Sequence, residues 1–100
     1  MISFSYKRFF TTLGNDNRLK IIHFLADNGP KNVSEIVAGT KLEQTAVSHN
    51  LKILLSCQFI HVKQNGKERV YWLNEDTIKP LLALMDKHVH TFCQKACDTC

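Results

Sequence analysis

Three thiols stand within the last eight residues, spaced Cys93-x-x-x-Cys97-x-x-Cys100. On a helix, steps of four and three put all three on one face. The same steps taken backwards reach His90 and then Asp86, so the ligand-type side chains form one stripe, with His88 close by. Thiolates prefer soft ions. The stripe therefore points to As(III), Sb(III), Cd(II) or Pb(II), or to Zn(II) with an added His or Asp. Mg(II) and Ca(II), which take oxygen ligands, are disfavoured. The thiols must lose their protons to bind, so ion affinity should fall with pH. Cys93, Cys97 and Cys100 are the candidate metal ligands, with Asp86, His88 and His90 as further candidates. The same thiols could instead form a redox or persulfide switch, or a structural zinc clip on the tail that stabilises a dimer without switching anything. Solvated histidines on an unselected tail are the bland alternative, against which the density of cysteines weighs. No organic cofactor is expected.

A second set of residues suits recognition. Gln44, Thr45, Ser48 and His49 cluster in the first turns of a segment, Leu42 to Leu54, in which Val47, Leu51 and Leu54 recur at helical spacing. The apolar residues share one face and the polar cluster lies largely off it. Short hydrogen-bonding side chains at the start of a helix can reach base edges in a DNA major groove, with Lys52 at the backbone. An ordinary amphipathic helix would look similar, but the next segment of the chain separates the two. Phe59 or Ile60, Val62, Val70 and Trp72 nearly alternate around Asn65-Gly66, a strong hairpin signal. Lys63, Lys67 and Arg69 decorate the tip and flanks. A basic hairpin directly after a reading helix is placed to lie along phosphates as a wing, whereas a plain hairpin would carry lysines only for solubility.

These groups need a scaffold, and the remaining chain supplies helices. Asn15-Asp16-Asn17-Arg18 offers caps for an apolar helix through Leu19, Ile21, Ile22, Phe24 and Leu25, ending near Asn28-Gly29-Pro30. Asn32 or Ser34 can cap a short helix through Val33, Ile36 and Val37, closed by Gly39-Thr40 as the turn into the reading helix. Phe4, Tyr6, Phe9, Phe10 and Leu13 mark an N-terminal helix. Glu75 to about Phe92 reads as a long C-terminal helix whose apolar stripe, Ile78, Leu81, Leu82, Met85, Val89, Phe92 and Ala96, would pack on a second protomer. The expected fold class is mainly α with a two-stranded β-hairpin, a winged helix-turn-helix. It is one domain, 1–100, with 33–55 as the helix-turn-helix, 58–74 as the wing, and 1–13 and 75–100 as dimerisation helices.

The chain resembles the ArsR/SmtB winged helix-turn-helix metalloregulators over almost its whole length. Four motifs in order carry the resemblance: Leu13-Gly14-Asn15-Asp16-Asn17-Arg18-Leu19-Lys20-Ile21-Ile22, Val33-Ser34-Glu35-Ile36, Gln44 through Leu54, and Gly66-Lys67-Glu68-Arg69-Val70-Tyr71-Trp72-Leu73-Asn74. The resemblance implies a homodimer that represses its own operon and leaves its operator DNA when an inducing ion binds. Many members place Cys-x-Cys before the turn, but Asn32 to Ala38 contains no thiol. Asp86-x-His88 matches an Asp-x-His that other members use. Cys97-x-x-Cys100 has the spacing of the pair that completes that site, though the separation between the two pairs differs. Cys57 matches the second of two reading-helix thiols used by a cadmium- and lead-sensing branch. Ile53 stands where the first would be, so Cys57 reads as a small buried residue.

Bulk properties agree. A net charge of +4 on 100 residues favours an acidic partner, weakly. A chain this short leaves much surface exposed, and dimerisation would bury more. No apolar run approaches a membrane span, and the N-terminus lacks a signal-peptide pattern, so the protein is expected in the cytoplasm without membrane contact. No nucleophile, base and ligand set surrounds a pocket-forming segment, so an enzyme is not expected.

Overall fold

The computed structural model describes residues 4–93. In chain order these form α1 (Phe4–Leu13), α2 (Asp16–Asn28), β1 (Lys31–Asn32), α3 (Val33–Thr40), α4 (Gln44–Ser56), β2 (Ile60–Asn65), β3 (Glu68–Leu73), α5 (Ile78–His88) and a π-helical turn, Val89–Cys93. Local chemistry sets the boundaries. Asn15 caps α2 by accepting from the Arg18 N–H at 3.1 Å. At α3 the Glu35 N–H donates to Asn32 Oδ1 (2.8 Å) and the Asn32 N–H donates back to Glu35 Oε1 (3.0 Å), a reciprocal box.

The expected turn at Gly39-Thr40 lies one step later. The α3 helix continues through both residues, Thr40 Oγ1 donates to the Ile36 carbonyl at 2.7 Å, and Lys41 ends the helix in the left-handed region at φ 61°. Gly39 serves packing instead of turning. A Cβ there would overlap the Phe24 ring as it lies, so any other residue would have to push that ring aside for α3 to close on α2.

The sheet has a strand beyond the expected hairpin. Its order is β1-β3-β2, all antiparallel, with Lys31 opposite Tyr71 and Asn32 opposite Val70. Two residues are too few to show alternation, so β1 had no periodic signal. In the hairpin, Ile60 faces Leu73 and Asn65 faces Glu68, which leaves Gly66-Lys67 as the loop. Gly66 carries φ +66° at the first loop position and Lys67 does not, the II′ pattern, where Asn-Gly would have made I′.

The core is where the helices and the inner sheet face meet. Ile21, Ile22, Ile36, Val47 and Leu54 have no exposed surface, and Phe59 joins them with its ring 5.0 Å from that of Phe9 on α1. Truncating one of the buried Ile or Leu side chains to alanine would cost about 2–5 kcal/mol, read as a lower midpoint in denaturant unfolding.

The C-terminal helix differs most from expectation. It begins at Ile78, because Asn74 Oδ1 accepts from the Asp76 N–H at 3.0 Å and holds Glu75–Thr77 in a turn. Pro80 sits in the first turn of α5, where a missing N–H is harmless. Ile78 and Leu82 of the expected partner-facing stripe are buried in this protomer's own core, while Leu81 and Met85 pack beside them and keep part of their surface exposed. Among the described residues, the exposed large apolar groups are Leu84, Val89 and Phe92 here and Tyr6 and Phe10 on α1. Past His88 the winding widens to i→i+5, and the three- and four-residue spacing no longer tracks one straight face.

Candidate nucleic-acid interface and effector residues

The α4 helix separates its two faces cleanly. Val47, Leu51, Leu54 and the polar Asn50 are buried, while Gln44, Thr45, Ser48, His49 and Lys52 line one shallow surface hollow together. The α4 N-terminus, which carries partial positive charge, lies at one end of that hollow. Hydrogen-bonding groups, a cation and open access combine into a surface that can read base edges and touch phosphate.

The wing does not gather its cations on one side. Lys63 pairs across from Val70 on the outer face, which also carries His61 and Trp72, their rings 5.7 Å apart. Arg69 lies on the other face, its guanidinium 5.9 Å from the Tyr71 ring centre. Lys67 occupies the loop between them, where Gln64 Nε2 braces the Gly66 carbonyl at 2.9 Å. The three charges surround the tip, so a wing entering a groove would present cations to both bordering backbones.

Among the effector candidates, Asp86 and His88 lie exposed on α5, and His90 lies exposed in the π-helical turn. His90 Nδ1 is 2.8 Å from the Asp86 carbonyl oxygen. A carbonyl only accepts, so Nδ1 is the donor here, and Nε2 is the ring nitrogen left to face a ligand. The His88 ring lies against that of Phe92, with centres 5.3 Å apart and planes tilted by 35°. Cys93 is a free, half-buried thiol, and Cys97 and Cys100 lie outside the described residues. No three His, Cys, Asp or Glu side chains converge on one point among the described residues.

Cys57 is half-buried rather than sealed in the core. It closes α4 and lines a surface groove with Ser5, Arg8, Phe9, Ser56 and Phe59. Its Sγ lies 3.5 Å from Thr12 Oγ1, and Ser56 Oγ donates to it at 3.9 Å. Burial pushes the thiol pKa up, but hydrogen bonds from Thr12, Ser56 and Arg8 and the Arg8 charge outweigh it, and the net shift is downward. More thiolate is therefore present near neutral pH. With Cys93, Cys97 and Cys100 changed to serine, the pH midpoint for iodoacetamide alkylation of Cys57 should rise on Arg8→Gln. An unmoved midpoint would remove Arg8 as a cause of the shift.

Two residues escaped the reading of the sequence. Asn50 is buried (6% exposed) among the apolar face of α4, and Arg18 reaches it from α2. The available signal was a polar side chain at the helical spacing of Val47, Leu51 and Leu54.

Comparison with known proteins fits this geometry. The model describing bacterial regulatory proteins of the arsR family matches residues 15–62. An uncharacterized HTH-type transcriptional regulator of Methanocaldococcus jannaschii is 31% identical over 78 residues, 78% of this chain and 88% of its own. The arsenical resistance operon repressor of Bacillus subtilis is 30% identical over 78 residues, 78% of this chain and 74% of its own. The solution structure of a homodimeric winged helix-turn-helix DNA-binding domain from Mycobacterium bovis matches with a TM-score of 0.78 at 27% identity. That match covers 86% of this chain and 79% of that one. With its buried α4 stripe, its exposed polar hollow and its basic wing, the chain belongs to the ArsR family of DNA-binding transcriptional regulators.

Proposed function

We propose that the protein is a homodimeric repressor that reads operator DNA with α4 and releases it when a thiophilic ion binds near the end of α5. The observation that carries the reading is the hollow of Gln44, Thr45, Ser48, His49 and Lys52, held open on a helix whose other face is locked into the core. Lys63, Lys67 and Arg69 add sequence-independent phosphate contacts. Exposed Tyr6 and Phe10 on α1 and Leu84, Val89 and Phe92 near the C-terminus supply apolar surface for a second copy. The homodimeric state of the Mycobacterium bovis domain supports that use.

The donor chemistry fits a soft ion. Cys93, Cys97 and Cys100 would hold it, with His90 Nε2, His88 or Asp86 completing the set. The arsenical resistance role of the Bacillus subtilis relative supports the same class of effector. One observation favours thiol sensing on the same scaffold as a second reading: the lowered pKa of Cys57 in its groove beside Arg8.

Operator affinity of the reduced protein, measured with and without As(III), Sb(III), Cd(II), Pb(II), Zn(II) and Mg(II), tests both. At least one soft ion should lower it by roughly 5–150-fold and Mg(II) should not. If no ion changes it but a mild oxidant or persulfide does, thiol sensing is the function.

A further inference from the structure

The carboxyl end of α1 leaves carbonyl groups without partners inside the helix. Arg18, on the first turn of α2, takes two of them. Its Nε donates to the Thr12 carbonyl at 2.8 Å and its Nη2 to the Thr11 carbonyl at 3.4 Å. A cation here also opposes the negative end of the α1 dipole. The third arm leaves this cap altogether. Nη1 donates to Asn50 Oδ1 at 3.1 Å, in the middle of α4.

Asn50 is committed on both sides. Its Nδ2 donates to the Ala46 carbonyl one turn back at 2.8 Å, so its oxygen is the group left for Arg18. The residue lies on the inward face of α4, next in sequence to exposed His49 and half a turn from exposed Ser48 and Lys52. A buried amide with both ends satisfied has one geometry. A buried hydrophobic contact in its place would allow α4 to slide or roll. The α1 end is equally fixed, since Thr12 is buried (4% exposed) and its hydroxyl meets Cys57 at the end of α4. The same short helix exposes Tyr6 and Phe10.

We propose that Arg18 and Asn50 are a positioning pair that fixes the angle between α1 and the reading helix, so that the dimer face on α1 and the base-reading face on α4 move as one body. This rests on the proposed reading of operator DNA by α4 in a homodimer. Two half-sites about one DNA turn apart, ~34 Å, demand that both reading helices be held at a set angle. Neither residue reaches DNA in this scheme. Each acts through the orientation of α4.

Arg18→Lys and Asn50→Leu both keep the net charge. Binding driven by phosphate charge alone should therefore be unchanged, which separates orientation from electrostatics. The probe is a duplex enriched from a random-sequence pool by the parent protein, beside a scrambled duplex. Folding is followed by thermal melting and dimer state by sedimentation. Each variant should remain a folded dimer and lose about tenfold in affinity for the enriched duplex, the scale of one charge-assisted hydrogen bond. Binding to the scrambled duplex should stay within about twofold, as its charge contacts are intact. The double variant should be no weaker than the worse single one, because the link between α1 and α4 runs through the Arg18–Asn50 bond, which either change already breaks.

Affinity for the enriched duplex retained in both folded variants would overturn the proposal. So would equal losses on both duplexes, or additive losses in the double variant. A variant that no longer folds would make the pair a stability element and would overturn the positioning role. If the parent enriches no duplex at all, the failure belongs to the proposed DNA reading instead.

Discussion

A Gln44→Ala, Ser48→Ala double variant should lose its preference for operator over scrambled DNA. The two residues are four apart on α4, so they stack on one side of the helix, and both are exposed in the same hollow as Thr45 and His49. A glutamine amide can donate to and accept from a single base, and a hydroxyl can do either. Each good contact is worth roughly 1–3 kcal/mol of discrimination. Losing both costs roughly 2–6 kcal/mol if they add, which consumes much of the roughly 4–10 kcal/mol that separates specific from non-specific binding. Folding should survive. Neither side chain makes a core contact, and alanine is the best helix former, so α4 is not weakened. Competition between operator and scrambled duplex is the measurement. Lys67→Ala is the contrast: it should weaken both duplexes alike and make the salt dependence shallower by about one unit. Unchanged operator preference in the double variant would refute the assignment of α4 as the reading helix.

The sequence was most informative where a period runs long enough to repeat. Val47, Leu51 and Leu54 announced both the α4 helix and its buried side, and the outward position of Gln44, Thr45, Ser48, His49 and Lys52 came from the same period. The division of Lys63 and Arg69 between two faces was also written there. Any two-residue loop at this hairpin pairs an odd-numbered position on one strand with an even-numbered one on the other, so 63 and 69 fall on opposite sides.

Other features had no local cause. The β1 strand exists because Lys31 and Asn32 meet β3 in space, and nothing in two residues says so. Gly39 looked like a turn residue because glycine's two uses, positive φ and close approach, are identical in a sequence. The end of α5 is subtler. Apolar spacing carried an α-helical pattern through Phe92, while the chain switches to a π-helical turn at Val89. That switch matters for the ligand stripe, since the alignment of Asp86, His90 and Cys93 assumed an uninterrupted α-helix.

Replacing Cys93, Cys97 and Cys100 together by serine should leave operator binding intact and abolish its release by the inducing ion. Serine is close to cysteine in size but offers no thiolate, so the soft-ion chemistry is removed with little change of shape. None of the three residues belongs to α4 or the wing, so affinity without ion should stay within about twofold of the parent, the change expected of near-isosteric substitutions away from the DNA-facing surface. Coupling free energy sets the size of the effect. An ion shifts the dimer between docking and non-docking arrangements only by the difference in its affinity for the two, roughly 1–3 kcal/mol in allosteric proteins. The C-terminal residues are well placed for such a difference, because the exposed Leu84, Val89 and Phe92 that would meet a partner lie among Asp86, His88, His90 and Cys93. A ligand set closing there would alter how two copies abut, and with it the spacing of the reading helices. Titrating the parent's inducing ion into the operator complex of each protein gives the answer. If the serine variant releases DNA at the parent's ion concentration, the thiol stripe is not the sensor. Asp86 and His88 on α5, or Cys57 where α1 meets α4, would then be the next residues to replace.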